Sequence, residues 1–232
     1  MDFETLSNNL RRVEDEIARV QANEGVSSDV RIVAVTKGHP LDCVSAAASV
    51  GLVDVGENRV QEALKKQDSA PDLEVNWHLI GHLQSNKAKH IPGRFTMVHS
   101  VDSVRIAEAL AKAAGRQTHG KSAMDVLVQV NVGNEPQKSG CEPETAAEIA
   151  AFVGEAPNLV ARGLMTMAPF SDSEREQRSV FEALRLLREK LETEGFDLPE
   201  LSMGMSNDYR TAVAEGATIL RLGTVLFGER AA

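Results

Sequence analysis

The sequence predicts a (β/α)8 barrel of the TIM type, in which eight parallel strands close into a ring and an extra helix precedes the first strand. Short apolar segments alternate with helical patterns along the chain, which is typical of a parallel sheet covered by helices. The segments are apolar on both faces, as in MDVLVQVNV, so we expect buried strands. There are eight of them in 232 residues, and we expect one α/β domain spanning residues 1–232.

Each element follows from a local pattern. An amphipathic stretch predicts the first helix at residues 4–23. The strands are predicted at 31–36, 52–55, 76–80, 96–99, 125–131, 159–163, 200–202 and 218–222. The intervening helices are predicted at 41–50, 58–68, 84–90, 103–115, 143–153, 174–193 and 206–215. In the clearest case, Ser103 is expected to be the N-cap and Gly115 to end the helix.

The alternative architecture is an open doubly wound sheet of the Rossmann or flavodoxin type. A dinucleotide-binding sheet carries G-x-G-x-x-G after its first strand, whereas this chain has TKGHPLD there. The chain is a little shorter than a typical barrel, so the strand count favours the barrel without excluding the open sheet.

Composition excludes several classes of function. A net charge of −9 argues against coating of a nucleic-acid duplex, and a single Trp and a single Tyr argue against a base-stacking platform. The N-terminal segment is acidic and helical, unlike a signal peptide, and we find no apolar run of about 20 residues. Cys43 and Cys141 lack C-x-x-C spacing, so we expect reduced thiols in a cytoplasmic protein.

Two loops at the predicted strand ends could hold an anion. In a barrel the site lies at the carboxyl ends of the strands, and the loops after the last two strands often bind phosphate. MGMSND places Gly204, Met205 and Ser206 at the start of a helix, and LGT supplies Gly223 and Thr224. The alternative is that the serine only caps its helix and the second glycine only turns the chain.

Arg221 lies inside an apolar strand, TILRLG, on the same side as Ile219 and Gly223. We expect it to face the barrel mouth, where a buried guanidinium needs a ligand or a partner. A carboxylate such as Glu57 is the alternative partner.

Lys37 ends the first strand, in RIVAVTKGHP. It could be a solvated strand end, a phosphate contact or a covalent nucleophile. Beside Arg221 and a phosphate site, it suits Schiff-base formation with a carbonyl compound, because desolvation and a neighbouring cation lower the pKa of an amine. The combination is what pyridoxal phosphate (PLP) needs.

The whole chain resembles the pyridoxal phosphate homeostasis protein family, which is similar to the barrel domain of alanine racemases and eukaryotic-type ornithine decarboxylases. The motifs are AVTKGHP, GENRVQEALKK, WHLIGHLQSNK, VHSVDS, QVNVGNEPQKSG, GLMTMAP and LSMGMSNDYRTAVAEGATILRLGTVLFGER. The resemblance implies that Lys37 carries PLP as an internal aldimine and that Arg221 faces its pyridine nitrogen. It also implies phosphate contacts from Ser206 and Thr224 with backbone help from Met205 and Gly223, Asn58 near the cofactor, and pocket walls from Met203 and Met165.

Two functions remain, and the resemblance favours the first. The protein is expected to hold PLP and maintain vitamin B6 and amino-acid homeostasis, without established turnover, as a monomer that could pass PLP to apoenzymes. The alternative is a PLP enzyme such as a racemase, which needs a second base. In alanine racemases a tyrosine from a further domain supplies it, whereas this chain ends at Ala232 and has only Tyr209.

Three minor expectations complete the interpretation. A class I aldolase using Lys37 on a sugar carbonyl fits the motifs but not the resemblance. His78 and His82 are expected on a strand and its exit loop, and no metal is expected. Lys138 in the KSG segment is a candidate for a second, transient PLP contact.

Overall fold

Eight parallel strands form a closed barrel in the computed structural model of this chain. The structure describes residues 3–116, 123–133, 139–169, 171 and 173–229. Each strand pairs with the next along the chain, and the first pairs with the last. The predicted (β/α)8 fold is therefore confirmed, and the open doubly wound sheet is excluded.

The elements follow the order of a barrel. The strands are β1 (Arg31–Val35), β2 (Asp54–Glu57), β3 (Asn76–Leu79), β4 (Met97–Val101), β5 (Met124–Gln129), β6 (Leu159–Met165), β7 (Glu200–Ser202) and β8 (Ile219–Leu222). The α-helices are α1 (Phe3–Glu24), α2 (Leu41–Ser49), α3 (Val60–Ser69), α4 (Val104–Gly115), α5 (Ala146–Glu155), α6 (Glu174–Thr193), α7 (Tyr209–Ala214) and α8 (Thr224–Phe227). Short 3₁₀ helices span Ser85–His90 and Pro143–Thr145.

Several local predictions differ from the structure. The segment predicted as a helix at 84–90 is a 3₁₀ helix, and β2 begins two residues later than predicted, at Asp54. The helix predicted at 206–215 begins at Tyr209, because the preceding residues form a turn. The short helix α8 was not predicted. Ser103 precedes α4 as expected, but its hydroxyl donates to the Asp102 carboxylate instead of capping the helix.

The apolar core has two layers. The larger layer lies between the strands and the surrounding helices, and a smaller one fills the barrel with Val33, Met97, Leu127, Met165 and Ile219. Helix α1 packs on the barrel's own flank, against α2, α7 and α8, through a buried stripe at helical spacing. No helix in the described part of the chain is long and apolar enough to cross a membrane.

Gly163 in β6 allows the close approach of β7, and we expect Gly163→Ala to destabilise the barrel. A Cβ atom there would overlap the backbone carbonyl of Glu200, its register partner. Because backbone rather than a flexible side chain must move, we expect a loss of about 3 kcal/mol or more in the free energy of unfolding.

The matched control is Gly154→Ala in the exposed part of α5, where an added Cβ meets nothing within 4 Å. Alanine restricts the unfolded chain and favours a helix, so this variant should gain about 0.5–1 kcal/mol. Urea unfolding followed by circular dichroism measures both. Equal effects of the two substitutions would contradict the packing role of Gly163.

Candidate functional site

A cavity of about 780 Å³ opens at the carboxyl ends of the strands. Seven of the nine residues predicted for the cofactor pocket line it: Lys37, Asn58, Met205, Ser206, Arg221, Gly223 and Thr224. They come from the ends of β1, β2, β7 and β8, so barrel closure brings together residues that are far apart in sequence. The position agrees with the end of a barrel at which active sites lie.

The two methionines predicted to form the pocket walls, Met165 and Met203, do not line the cavity. Met203 is fully buried in the outer core layer because strand alternation turns it away from Ser202, which faces the barrel interior. Met165 lies inside the barrel but does not line the cavity. Met167, two residues further along the chain, packs against the inner layer and does line the cavity. The period-two pattern after β6 could have indicated it.

Lys37 follows a residue that is held by a buried polar cluster. The hydroxyl of Thr36 donates to Glu57 Oε1 at 2.6 Å. Lys66 Nζ donates to the same oxygen at 2.6 Å and to the Thr36 carbonyl at 2.9 Å. On the other side of Lys37, the Gly38 N–H donates to a carboxylate oxygen of Glu62 at 2.8 Å. The backbone on both sides of the lysine is therefore fixed.

Glu57 was considered as the partner of Arg221, and the structure corrects this. Its carboxylate pairs with Lys66 and Thr36 and is fully buried. Burial raises the pKa of the Glu57 carboxyl, and the hydrogen bonds from Lys66 and Thr36 oppose this rise. Its second oxygen, Oε2, has no hydrogen-bond partner among the described residues. The sequence did not indicate Lys66, because a lysine in the GENRVQEALKK helix resembles a solvated one.

Arg221 enters the cavity from below and is 4% exposed. Its Nη1 donates to Ser202 Oγ at 2.7 Å, and its Nη2 donates to the Thr166 carbonyl at 2.9 Å. Burial lowers the pKa of the guanidinium to about 10, against the opposing effect of the Asp208 charge. At neutral pH the guanidinium therefore remains a cation. The two groups to which it donates, a hydroxyl and a backbone carbonyl, are uncharged.

Ser206 is at the centre of a group of backbone donors. Its Oγ accepts from the N–H groups of Gly223 and Val225, each at 3.2 Å. Two backbone donors that converge on one oxygen form the arrangement that binds an anionic oxygen. Ser206 does not cap α7, the helix considered in the alternative, and its hydroxyl accepts instead from the N-terminal turn of α8. The N–H of Met205 donates to Asp208 Oδ1, so this group already has a hydrogen-bond partner within the protein.

Close backbone packing shapes the rest of the cavity. A Cβ atom on Gly81, after β3, would overlap the backbone carbonyl of Asn58, so glycine is required beside this predicted site residue. A Cβ on Gly223 would lie 3.3 Å from the Val35 carbonyl oxygen, which is tight. Sequence reasoning missed Gln129, which lines the cavity from β5 and donates to the Ser139 carbonyl at 3.0 Å.

A broader cleft of about 1270 Å³ lies at the opposite ends of the strands. Its two arginines are already paired, Arg94 with Asp68 and Arg162 with Asp125. We therefore place the candidate site in the smaller cavity, where polar groups converge.

The remaining candidate groups lie outside the cavity lining or have no metal-binding arrangement among the described residues. His78 lies in β3 and His82 in the next loop, as predicted, and His82 Nδ1 lies 3.3 Å from an oxygen of Asp102. Across the described residues, no cluster of three or more His, Cys, Asp or Glu is arranged to hold a metal. Cys43 and Cys141 are buried free thiols, and burial raises the pKa of Cys141 to about 11. Lys138 lies outside the described residues.

Known proteins share both the sequence and the fold. Residues 5–231 match the family model for the N-terminal domain of alanine racemase. The pyridoxal phosphate homeostasis protein of Aquifex aeolicus is 40% identical over 228 residues, which are 98% of this chain and 97% of that protein. The protein of the same name from Pseudomonas aeruginosa is 41% identical over 227 residues, covering 97% of this chain and 96% of that protein.

A solved structure agrees. PipY of Synechococcus elongatus with PLP bound is 35% identical to this chain, with a TM-score of 0.84. The match covers 96% of this chain and 100% of the PipY chain. The fold and the cavity thus define a barrel of the alanine racemase N-terminal class. Within that class, the chain belongs to the pyridoxal phosphate homeostasis protein family.

The buried Lys66–Glu57 pair gives a stability prediction. Lys66→Met leaves the buried carboxylate without its cation, and we expect a loss of about 3 kcal/mol or more at pH 7. In the variant the folded chain binds the Glu57 proton more tightly than the unfolded chain does. Stability should therefore rise as the pH falls from 7 towards about 4.3, so the defect should shrink.

Lys65→Met is the matched control, because Lys65 is exposed on the same helix. It should change stability by no more than about 0.5 kcal/mol. Thermal unfolding of both variants at pH 7 and pH 5 measures the difference. A defect of Lys66→Met that does not change with pH would contradict the assignment to Glu57.

Proposed function

We propose that this chain binds PLP as a Schiff base on Lys37 and holds it for intracellular vitamin B6 and amino-acid homeostasis. The observation that carries the proposal is the convergence in one cavity of a lysine, paired backbone donors and a buried guanidinium. The PLP-bound structure of PipY, which is 35% identical, supports it. PLP supplies an aldehyde that an amine can bond reversibly.

The residues of the cavity fit the three ends of this cofactor. The Lys37 amine suits the aldehyde, and its flanking backbone is held on both sides. The donors around Ser206, with the hydroxyl of Thr224, suit a phosphate. Arg221 suits the pyridine nitrogen, because a guanidinium only donates hydrogen bonds and that nitrogen accepts one. A cavity of about 780 Å³ is within the range of small-ligand sites.

Arg221 also favours a carrier over an enzyme. A protonated pyridine nitrogen makes PLP a strong electron sink, and a cationic donor beside it opposes that proton. At a pKa of about 10, Arg221 is charged at neutral pH. The curated relatives are named homeostasis proteins and not enzymes, which agrees with this role. We therefore propose a PLP-holding protein without established turnover.

The racemase alternative needs a second base, and Tyr209 is a poor candidate. It is 3% exposed and is not among the residues that line the cavity. Burial raises the pKa of its phenol, so less of the phenolate that would act as the second base forms at neutral pH. An experiment decides between the two functions: exchange of the alanine α-hydrogen with D₂O at enzyme-like rates by the PLP-loaded protein would favour the enzyme.

The cellular setting is part of the same proposal. Two buried free thiols support a reducing compartment, so we propose a cytoplasmic protein. We further propose that it acts as a monomer and that apoenzymes that use PLP receive the cofactor from it. Names of the curated relatives support the homeostatic role.

We expect Lys37→Ala to abolish the covalent attachment of PLP. The wild-type protein should absorb in the visible aldimine band and retain PLP after borohydride reduction, whereas the variant should do neither. Lys89→Ala, at an exposed lysine of the 3₁₀ helix, is the control and should behave as wild type. A colourless wild type that does not take up PLP would exclude the proposed function. Trapping of a sugar phosphate but not PLP would indicate an aldolase.

Thr224→Val should weaken PLP binding by at least about tenfold, because it removes a hydroxyl donor to a charged group. Thr224→Ser keeps the hydroxyl and should restore most of the affinity. Pyridoxal, which lacks the phosphate, should bind wild type and Thr224→Val alike. Equal losses for PLP and pyridoxal, measured by absorbance titration, would show that Thr224 does not hold the phosphate.

A further inference from the structure

A chain of hydrogen bonds crosses the barrel interior from the amino ends of the strands to the cavity. Asp54 Oδ1 lies 2.9 Å from His78 Nε2, and His78 Nδ1 lies 2.9 Å from His99 Nε2. His99 Nδ1 lies 2.9 Å from Ser202 Oγ, which accepts from Arg221 Nη1 at 2.7 Å. The five residues come from five strands, β2, β3, β4, β7 and β8.

The three central members of this chain are sealed from solvent. His78 is 1% exposed, and His99 and Ser202 are fully buried. Polar groups in such a place are costly unless each is hydrogen-bonded, and here each is. Apart from Arg221, no member of this hydrogen-bond network has been assigned a contact with a ligand, so the cost of burying its three central members calls for a role of its own.

With both rings neutral, the two ends of this hydrogen-bond network fix the direction of every hydrogen bond. Arg221 can only donate, so the Ser202 hydroxyl is free to donate onwards to His99 Nδ1. At the other end, ionised Asp54 can only accept, so His78 must donate from Nε2. If both rings are neutral, each carries its proton on Nε2 and accepts at Nδ1.

The charges of the surroundings support this pattern. Burial, and to a smaller extent the charge of Arg221, hold the pKa of His99 well below its usual range, so its ring is neutral. Burial raises the pKa of Asp54, but the hydrogen bonds from His78 and Asn76 outweigh it and the pKa is lowered. A carboxylate at one end and a guanidinium at the other align the dipoles between them, and aligned bonds strengthen one another.

We propose that Asp54, His78, His99 and Ser202 are positioning residues that hold Arg221 so that its remaining N–H groups face the cavity. Ser202 and the Thr166 carbonyl each take one nitrogen of the guanidinium, which fixes its plane. Ser202 is itself oriented by the chain that ends at Asp54. The affinity of the cavity for PLP is therefore coupled to a carboxylate at the opposite end of the barrel. This inference takes its ligand, PLP, from the proposed function. The hydrogen bonds on which it is argued do not depend on that function.

The first experiment uses the protein without PLP. Long-range ¹H–¹⁵N spectra of the histidine rings, assigned with His78→Asn and His99→Asn, report the tautomers directly. Both rings are expected as neutral Nε2–H tautomers. A His99 ring protonated on Nδ1, or a His78 imidazolium, would reverse the hydrogen bonds and overturn the proposal, whether or not PLP binds.

The second experiment removes the Asp54 end of the hydrogen-bond network. Asp54→Leu removes the acceptor and should weaken PLP binding by at least about tenfold, move the Arg221 side-chain ¹⁵N signals and shift the absorption of bound PLP. Asp54→Asn keeps an accepting oxygen and should recover most of the affinity. Asp125→Leu is the matched control, because Asp125 lies at the same end of the barrel, pairs with Arg162 and is outside the chain.

The outcomes separate this inference from the proposed function. If wild type takes up no PLP, the proposed function fails and the tautomers still test the chain. If wild type binds PLP and folded Asp54→Leu binds it equally well, the coupling fails and the proposed function stands. If Asp54→Leu does not fold, Ser202→Ala is used, since it removes the contact with Arg221 directly. Unchanged PLP affinity in that variant also overturns the coupling.

Discussion

The parallel pairing of β1 with β8 is the interaction on which the site depends. It joins Val33 to Arg221 and Ala34 to Leu222 in register. The same pairing carries Lys37, at the end of β1, to the loop that contains Gly223. Residues 36–218, 183 in all, separate these strands along the sequence, so only closure of the ring creates the cavity. An open sheet with the strands in the same order would leave the lysine and the loop that contains Gly223 at opposite edges.

Closure also creates an interior that must hold charge. Arg221 is stabilised by a serine and a carbonyl, and the Glu57 carboxylate by Lys66 and Thr36. The two networks are separate, and each fixes one part of the cavity. The glutamate network fixes the backbone on which Lys37 lies, and the histidine chain orients the guanidinium. Burying such charged groups costs free energy. The specific geometry that they impose on the cavity is a reason for the protein to retain them.

The fold alone does not distinguish a carrier from an enzyme, because one barrel class includes both and function lies in the site. The feature that bears on this distinction is the guanidinium of Arg221, which lines the same cavity as Lys37. A donor-only cation suits a ligand that is to be held with its ring nitrogen unprotonated. The histidine chain would make this preference robust, since it prevents the guanidinium from turning away.

The sequence by itself determined the barrel, the strand ends and the residues whose role is local. Lys37, Ser206, Gly223 and Thr224 follow directly from motifs at strand exits, and Arg221 from strand alternation. Only the tertiary structure decided the partners. His99 and Ser202 are 103 residues apart, and their contact depends on strand stagger around the ring, which no local pattern encodes. For the same reason Glu57 was offered as an alternative partner of Arg221 while Lys66 was not indicated, and Met203 was assigned the wrong face. Alternation gives the side of a strand, but the shear of the closed barrel determines which side chains meet across its interior.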